Sequence, residues 1–419
     1  MRKYKLNFYC VCALIITIII VLLLSSCSSS TSSSGGNLTT LYIYNWGEYI
    51  SDGSEGTLAV NDMFEEWYFD TYGERVKVNY STFSSNESLY AKISSGAVNY
   101  DVIVPSDYMI ERLINEGLLA KLDYKNIPEI NNILPEFQNA NYDPDTNGDG
   151  YNDYSVPYLY GMIGIIYNTT MVDEQDIGSW NLMWNDKYSG NILQFNNSRD
   201  AFGSAMYYLG QWDKVNSDDA NDWYAALDAL KDQKPILQGY VMDEIYNKME
   251  NGSAAIAAYY AGDYLTMYEN NPDLEFYYPK EGTNLYVDAM CVPASSKNKV
   301  IAERYINYML QIEPAKANAE YTYYASPNKL VVNDSEYIDN MNDVKDDGYS
   351  KIYSTEDIQT SSYRNLQGDK LLLLNTLWEE LKSDIKVSGG IYCICGVIVA
   401  TISGIAVFFA IRRKKRNIY

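Results

Sequence analysis

The chain of 419 residues contains no histidine. That removes the side chain most often used as a general base near neutral pH and the commonest metal ligand. Cysteine is almost as scarce where it would matter. Of six cysteines, Cys10 and Cys12 fall in an N-terminal apolar leader, Cys27 stands at its end, and Cys393 and Cys395 lie in an apolar run near the C-terminus. Only Cys291 remains in the body, inside the apolar stretch 289–292, where it reads as a buried thiol. A disulfide framework and a Cys/His zinc site are therefore excluded from the body. No glycine-rich phosphate loop and no Ser–Lys or Cys pairing stands out, so an enzyme is not expected. A pair of carboxylates could hydrolyse glycosides, but nothing sets such a pair apart here.

Positive charge is the other shortage. The chain has 32 lysines and arginines against 55 aspartates and glutamates. Eight of the basic residues sit at the two ends: Arg2, Lys3, Lys5, and the run Arg412, Arg413, Lys414, Lys415, Arg416. The segment between carries 24 basic and all 55 acidic residues, a net charge of −31. Such a surface repels nucleic acid and draws cations. No nucleic-acid partner is expected.

The ends read as membrane signals. A basic start, the uncharged apolar run 11–24 and Leu24-Ser25-Ser26-Cys27 together resemble the lipobox of bacterial lipoproteins. This implies a signal in residues 1–27, cleavage just before Cys27 and lipidation of its thiol. Residues 28–37, rich in Ser, Thr and Gly, form a flexible tether. At the other end, 391–411 is 21 residues without a charge, long enough to cross a bilayer as a helix. The basic tail 412–419 follows, and the positive-inside rule places it in the cytoplasm. Sequence alone thus predicts an extracellular body anchored by lipid at one end and by a transmembrane helix at the other.

What the body does have is aromatic residues interleaved with acids; the whole chain has 42 tyrosines. Tyr44-Asn45-Trp46-Gly47-Glu48-Tyr49, Val104-Pro105-Ser106-Asp107-Tyr108, Arg199-Asp200, Tyr286-Val287-Asp288 and Tyr323-Tyr324 are the marked clusters. Aromatic faces attract cations and cover methylenes, and carboxylates accept charge-assisted hydrogen bonds from ammonium groups. The pattern suits a ligand that is cationic at its tips and greasy between them. The plainer reading of each ring is core packing, and of each acid a solvated surface.

Strand and helix signals alternate along the body. Strands are predicted over 41–45, 76–81, 101–105, 163–167, 191–195, 254–260 and 274–278. Helices are predicted over 63–72, 88–95, 109–116, 201–209, 219–231, 303–310 and 371–381. This is an α/β pattern with substantially parallel pairing. In such sheets ligands sit beyond the carboxyl ends of the strands, and 46–49 and 106–108 occupy strand exits.

With these residues in place, the chain resembles the spermidine/putrescine-binding proteins of bacterial ABC importers, type II periplasmic solute-binding proteins. The likeness runs from about Leu41 to Leu381. It is carried by 44–49, Asn86-Glu87-Ser88-Leu89-Tyr90-Ala91-Lys92, 100–106, Ser155-Val156-Pro157-Tyr158, Pro279-Lys280-Glu281-Gly282, Val287-Asp288 and Ser326-Pro327-Asn328. The resemblance implies a two-lobed α/β fold with hinge crossovers: 38–157 and 288–327 in one lobe, 158–287 and 328–387 in the other. It implies a monomer that hands a polyamine to a permease and its ATPase subunits and needs no cofactor. The pocket carried over by position comprises the aromatic residues Trp46, Tyr49, Tyr108, Tyr260, Tyr286 and Tyr324. It also comprises the acids Glu48, Asp200 and Asp288, and the polar Ser106. Two positions depart from the family pattern: Asn197 stands where an aspartate can occur, and Arg364 where a glutamine can contact an amine. The alternatives are another small organic solute in the same fold, or a membrane-tethered sensor or adhesin.

One further motif stands apart. In 143–153, Asp145, Asn147, Asp149, the Tyr151 carbonyl and Asp153 follow the oxygen spacing of an EF-hand-like loop, with Gly150 at the turn. The acid usual at the twelfth position is missing; Val156 stands there. A structural calcium is one reading, and an acidic surface turn that binds nothing is the other.

Overall fold

The computed structural model describes residues 38–355 and 357–383. Cys27, the tether 28–37, the segment 391–411 and the tail 412–419 lie outside the described residues. Among the described residues no helix is long and apolar enough to cross a membrane. The last described helix, Asp369–Ser383, has 15 residues and carries Asp369, Lys370, Glu379, Glu380 and Lys382, so it is too short and too charged. The expected fold is corrected accordingly: the α/β body is there, and a C-terminal transmembrane helix is not part of the fold described.

In chain order the body begins with β1 (Thr39–Trp46), α1 (Val60–Tyr72), β2 (Val76–Phe83), α2 (Asn86–Ser95), β3 (Val102–Ile103) and α3 (Asp107–Asn115). It continues with β4 (Ser155–Asn168), β5 (Ile192–Phe195), α4 (Ser198–Tyr208), α5 (Ala220–Gln233), β6 (Leu237–Val241), α6 (Glu244–Glu250), β7 (Ile256–Tyr260) and α7 (Ala261–Asn270). Then come β8 (Leu274–Tyr277), β9 (Thr283–Cys291), α8 (Lys299–Met309), α9 (Ile312–Thr322), short helices, and β10 (Thr360–Ser361) before the last helix.

Two compact units are distinguished. The smaller comprises, among described residues, 38–40 and 65–77. Within it Lys77 pairs with Glu65 at 3.0 Å and Arg75 lies over the Phe69 ring at 4.4 Å. The larger, 41–64 with 78–383 of the described residues, holds the rest of the body.

The strands follow the order β2-β1-β3-β9-β4-β7-β5-β6, with β8 also on β4 and β10 on β9. Pairing is mixed, less parallel than the alternation of elements suggests. β1 with β3, β5 with β6 and β5 with β7 are parallel. β9 and β4 are antiparallel to their neighbours β3, β7 and β8 and to each other. β4 and β9 run side by side from Ser155 opposite Cys291 to Met162 opposite Leu285. Beyond that, β4 passes on to pair with β7 and β8. The register shifts between Pro157 and Leu159, with Leu159 facing Asp288.

Sequence pattern explains why β4 was read only in its second half. All of its residues but Tyr167 are buried, so it lacks the alternation that marks a half-exposed strand. The core beside β1 stacks Tyr44 on Tyr100 at 4.3 Å and includes Leu89, Ile103, Met109, Leu113 and Cys291. Cys291 is buried and free.

Candidate functional site

Four strand exits converge on one cavity. Trp46, Gly47, Glu48 and Tyr49 follow from β1, Ser106, Asp107 and Tyr108 from β3, Asn197 and Asp200 from β5, and Tyr260 with Asp263 from β7. β9 adds Asn284, Tyr286 and Asp288. These three are two residues apart, so a strand presents them on one face. Tyr324, after α9, and Tyr363 complete this side.

The helices that begin at the β3, β5 and β7 exits, and α2 after β2, each carry an acid in the first turn: Glu87 in α2, Asp107 in α3, Asp200 in α4 and Asp263 in α7. A helix N-terminus presents unpaired N–H groups and partial positive charge, which favours a carboxylate there. In all, seven carboxylates line the cavity: Glu48, Glu87, Asp107, Asp200, Asp243, Asp263 and Asp288. Ten aromatic rings share the lining, and no lysine or arginine does among the described residues.

Asp288 is 4 % exposed, and its two oxygens accept from Ser106 Oγ at 2.6 Å and Tyr49 Oη at 2.8 Å. Ser106 sits at the N-cap of α3 but makes no side-chain cap bond. Its hydroxyl is turned to Asp288 instead, and Asn86 Nδ2 donates to Ser106 Oγ at 3.0 Å. A residue that breaks a local capping preference in this way is one held for another task. Asn197 does cap α4: its Oδ1 accepts from the Asp200 amide at 2.8 Å, and its Nδ2 donates to Asp200 Oδ2 at 2.6 Å. Tyr260 Oη donates to the same Asp200 oxygen at 2.7 Å. Asn197 thus meets the cavity by orienting Asp200.

Burial dominates the electrostatics. It pushes the Asp288 carboxyl up to about 6, with Asp200 adding to the rise and the Ser106 and Tyr49 hydroxyls opposing it. Burial raises Asp263 to about 7 and Asp107 to about 8, and raises Asp200 as well. The hydroxyls of Tyr49, Tyr260 and Tyr324 are pushed far above their usual range by burial and then by the adjacent carboxylates. They therefore remain donors. A buried group of carboxylates held largely by neutral donors, with no lysine or arginine lining the cavity among the described residues, is poised to gain from a cationic guest.

The aromatic residues form a wall. Ring centroids of Tyr260 and Tyr286 are 5.3 Å apart, those of Tyr286 and Tyr324 6.4 Å, and those of Tyr324 and Tyr49 4.9 Å. Gly161 and Gly262 leave room for it. A Cβ on Gly161 would stand 2.5 Å from Tyr286 Oη, and one on Gly262 would run into the Tyr324 ring. Trp46 packs on Phe83 at 4.4 Å, and Tyr108 donates to Glu87 at 3.1 Å. Arg199 is buried outside the lining, its guanidinium 4.3 Å from the Tyr363 ring, donating to the Val215 carbonyl and to Asn216 Oδ1.

Eleven of the twelve pocket positions carried over by resemblance line this cavity: Trp46, Glu48, Tyr49, Ser106, Tyr108, Asn197, Asp200, Tyr260, Tyr286, Asp288 and Tyr324. Arg364 does not, and that expectation is corrected. Its guanidinium grips Glu111 in a fork, Nε to Oε2 at 2.9 Å and Nη2 to Oε1 at 2.6 Å, beside a separate cavity. A bidentate pair of this kind satisfies both charges away from the site.

The sequence reading missed Asn86, Glu87, Asp107, Asp243, Asp263, Asn284, Tyr246, Tyr259 and Tyr363 as lining residues. Asn284 was legible from its spacing of two and four from Tyr286 and Asp288. Asp263 was legible as an acid in a first helical turn after a strand, as Asp200 is. Tyr246 and Tyr363 come from segments with no such mark.

The structure gives no support to the calcium reading of 145–153. Among the described residues no group of three or more acidic, His or Cys side chains is placed to hold a metal. Asp145 accepts from the amides of Asn147, Gly148 and Gly150, and Asp149 from that of Tyr151. Asn147 Oδ1 accepts from the Asp149 amide, and Tyr151 Oη donates to Asn131. Asp153 is buried and paired with Lys121 at 2.6 Å. The side-chain oxygens of the loop bond its own backbone amides, and Asp153 bonds a lysine.

Comparison with known proteins agrees with this architecture. Residues 59–345 match the family model described as bacterial extracellular solute-binding protein. The spermidine/putrescine-binding periplasmic protein of Salmonella typhimurium is 33% identical over 292 residues, 69% of this chain and 78% of that protein. The putrescine-binding periplasmic protein of Escherichia coli is 29% identical over 309 residues, covering 69% and 78%. A solved structure described as a spermidine/putrescine ABC transporter from Listeria monocytogenes superposes with a TM-score of 0.71 at 32% identity, covering 82% of this chain and 99% of that one. Family, relatives and two-lobed α/β fold point to a solute binder with no catalytic task, and the chain belongs to the bacterial extracellular solute-binding proteins.

Proposed function

We propose that the protein captures a polyamine on the extracellular side of the membrane for an ABC importer. The observation that carries this is the cavity lined by seven carboxylates and ten aromatic rings with no basic residue among those described. Each ammonium of a polyamine takes charge-assisted bonds from carboxylates, and its methylenes lie along flat rings. The relatives are spermidine/putrescine- and putrescine-binding proteins by name, which supports the same ligand class here. In this reading Asp288 and Asp200 seat ammonium groups, the tyrosine wall with Trp46 and Tyr108 covers the chain between them, and Ser106 and Asn197 aim the carboxylates.

The lobes are taken as 38–157 with 288–327, and 158–287 with 328–387. The irregularity in β4 at Pro157/Leu159, opposite Asp288, supports a bending point there. Lipidation of Cys27 would keep the protein beside its permease; incorporation of labelled palmitate that persists in Cys27→Ala would refute that part.

Calorimetric titration of the full chain with spermidine and putrescine tests the main reading. Micromolar or tighter binding of either supports it, and no binding of both overturns it.

A further inference from the structure

The wall of the cavity holds a buried amide that the fold itself does not use. Asn284 of β9 is 2 % exposed and lines the cavity. Its Oδ1 is buried and accepts no hydrogen bond. Among the described residues its Nδ2 makes none either. Nothing therefore fixes which way the amide faces. A half-turn about its last side-chain bond exchanges oxygen and nitrogen without breaking a hydrogen bond. A buried polar group left without a partner costs free energy, and in a native structure it calls for a reason outside the packing.

Its place in the sheet points to one end of the cavity. Asn284 stands four residues from Asp288 on the same strand face, about 13 Å away along an extended strand, with Tyr286 between them. Leu285 lies opposite Met162 of β4, and Ile163 lies opposite Tyr260 of β7. Asn284 and Tyr260 thus stand at one level on either side of β4, and Tyr260 is a donor to Asp200. On its other side Asn284 lies opposite Ser361 of β10, whose Oγ meets Tyr207 Oη of α4 at 2.6 Å. That helix carries Asp200 in its first turn. Both flanks of Asn284 lead to Asp200.

The chemistry at that end lacks an acceptor. A primary ammonium has three N–H donors. Asp200 Oδ2 already accepts from Asn197 and Tyr260, which leaves Oδ1, with two lone pairs, as its open oxygen. An amide oxygen supplies a further acceptor without adding another negative charge to a cavity that already crowds seven carboxylates together.

We propose that Asn284 is a ligand-contacting residue, the neutral acceptor that completes the hydrogen bonding of the ammonium seated on Asp200. This rests on the polyamine reading given above.

The test is titration of the full chain, of Asn284→Leu and of Asn284→Ala with spermidine and putrescine, together with the melting temperature of each ligand-free protein. Leucine has the branching of asparagine without its polar atoms, and alanine cannot overfill the site. Affinity for the tighter-binding of the two amines is expected to fall at least tenfold in both variants. Ligand-free Asn284→Leu is expected to melt no lower than the unaltered chain, because the amide it removes makes no bond in the empty protein. A loss of affinity smaller than tenfold in either variant overturns the proposal and leaves polyamine capture standing; the amide would then hold no more than a water molecule. A lowered melting temperature of ligand-free Asn284→Leu also overturns it, since the amide would then be serving the fold. Binding of neither amine by the unaltered chain overturns both this proposal and the polyamine reading.

Discussion

The rings of Tyr49 and Tyr324 meet edge to face at 4.9 Å, while their hydroxyls serve different carboxylates, Asp288 and Asp263. Each ring follows directly on a non-glycine residue in the left-handed region, Glu48 at φ 48° and Tyr323 at φ 57°. Such conformations cost on the order of 1–3 kcal/mol and persist where surrounding contacts enforce them. Here two strained turns, far apart in sequence, deliver two tyrosines to one contact. That contact joins two of the carboxylates across the aromatic wall.

Asp288→Asn should weaken amine binding by more than about tenfold, because a hydrogen bond to a charged group contributes about 1.5–3 kcal/mol. Asparagine keeps the size of the side chain and an acceptor for one of the two hydroxyls, so the fold is kept. Titration with spermidine checks this, and an unchanged affinity would remove Asp288 from the site.

Binding should weaken as the pH is lowered. The Asp288 carboxyl is raised to about 6 and Asp263 to about 7, while the ligand amines stay protonated throughout this range. A bound ammonium favours the ionised carboxylate, so binding expels a proton wherever the empty site holds one. Affinity should be level above about pH 8 and fall at least tenfold by about pH 5. The sign for the empty protein is opposite to that of an ordinary paired carboxylate. These groups hold protons more tightly when folded, so their contribution to stability is largest at low pH. It is lost as pH rises from the unfolded carboxyl range through about 7. The rise in melting temperature on adding spermidine should accordingly be larger at pH 8 than at pH 5; equal shifts would count against these assignments.

Gly262→Ala should cost affinity while helping the helix. Alanine is favoured over glycine inside a helix by about 1 kcal/mol. The added Cβ, however, runs into the ring of Tyr324, and displacing that ring breaks its bond to Asp263. Titration should show spermidine affinity down about tenfold and the melting temperature lowered, because overpacking of the buried ring at about 1–3 kcal/mol outweighs the helix preference. Retained affinity would show that the ring has somewhere else to go.

Arg364→Ala should leave polyamine affinity within about threefold. Its guanidinium is committed to Glu111, and its side chain is 44% exposed, so the pair contributes at most about 1 kcal/mol to stability. A large loss of affinity on titration would return Arg364 to the site.

Much of this molecule was legible from its residues. The α/β alternation, the strand exits at Trp46 and Ser106, and the aromatic and acidic pocket positions are local features. They depend on hydrophobic periodicity and on residue types that keep their order in the chain. β4 and β9 were harder. β4 is buried along nearly its whole length, so its period is hidden, and antiparallel pairing between strands more than a hundred residues apart leaves no local trace. The EF-hand-like spacing in 145–153 was legible too, but spacing does not fix direction. Here backbone amides and Lys121 bond those oxygens.

The sequence by itself determined the kind of chemistry available: no histidine, one cysteine in the body, an excess of carboxylate and many rings. Only the tertiary structure decided which acids share a cavity. It placed Asp263 among them and sent Arg364 to Glu111. The reason is physical. Composition and period are carried by each segment alone, whereas burial, hydrogen-bond partners and the resulting shifts in proton affinity arise only when distant strand exits are packed together.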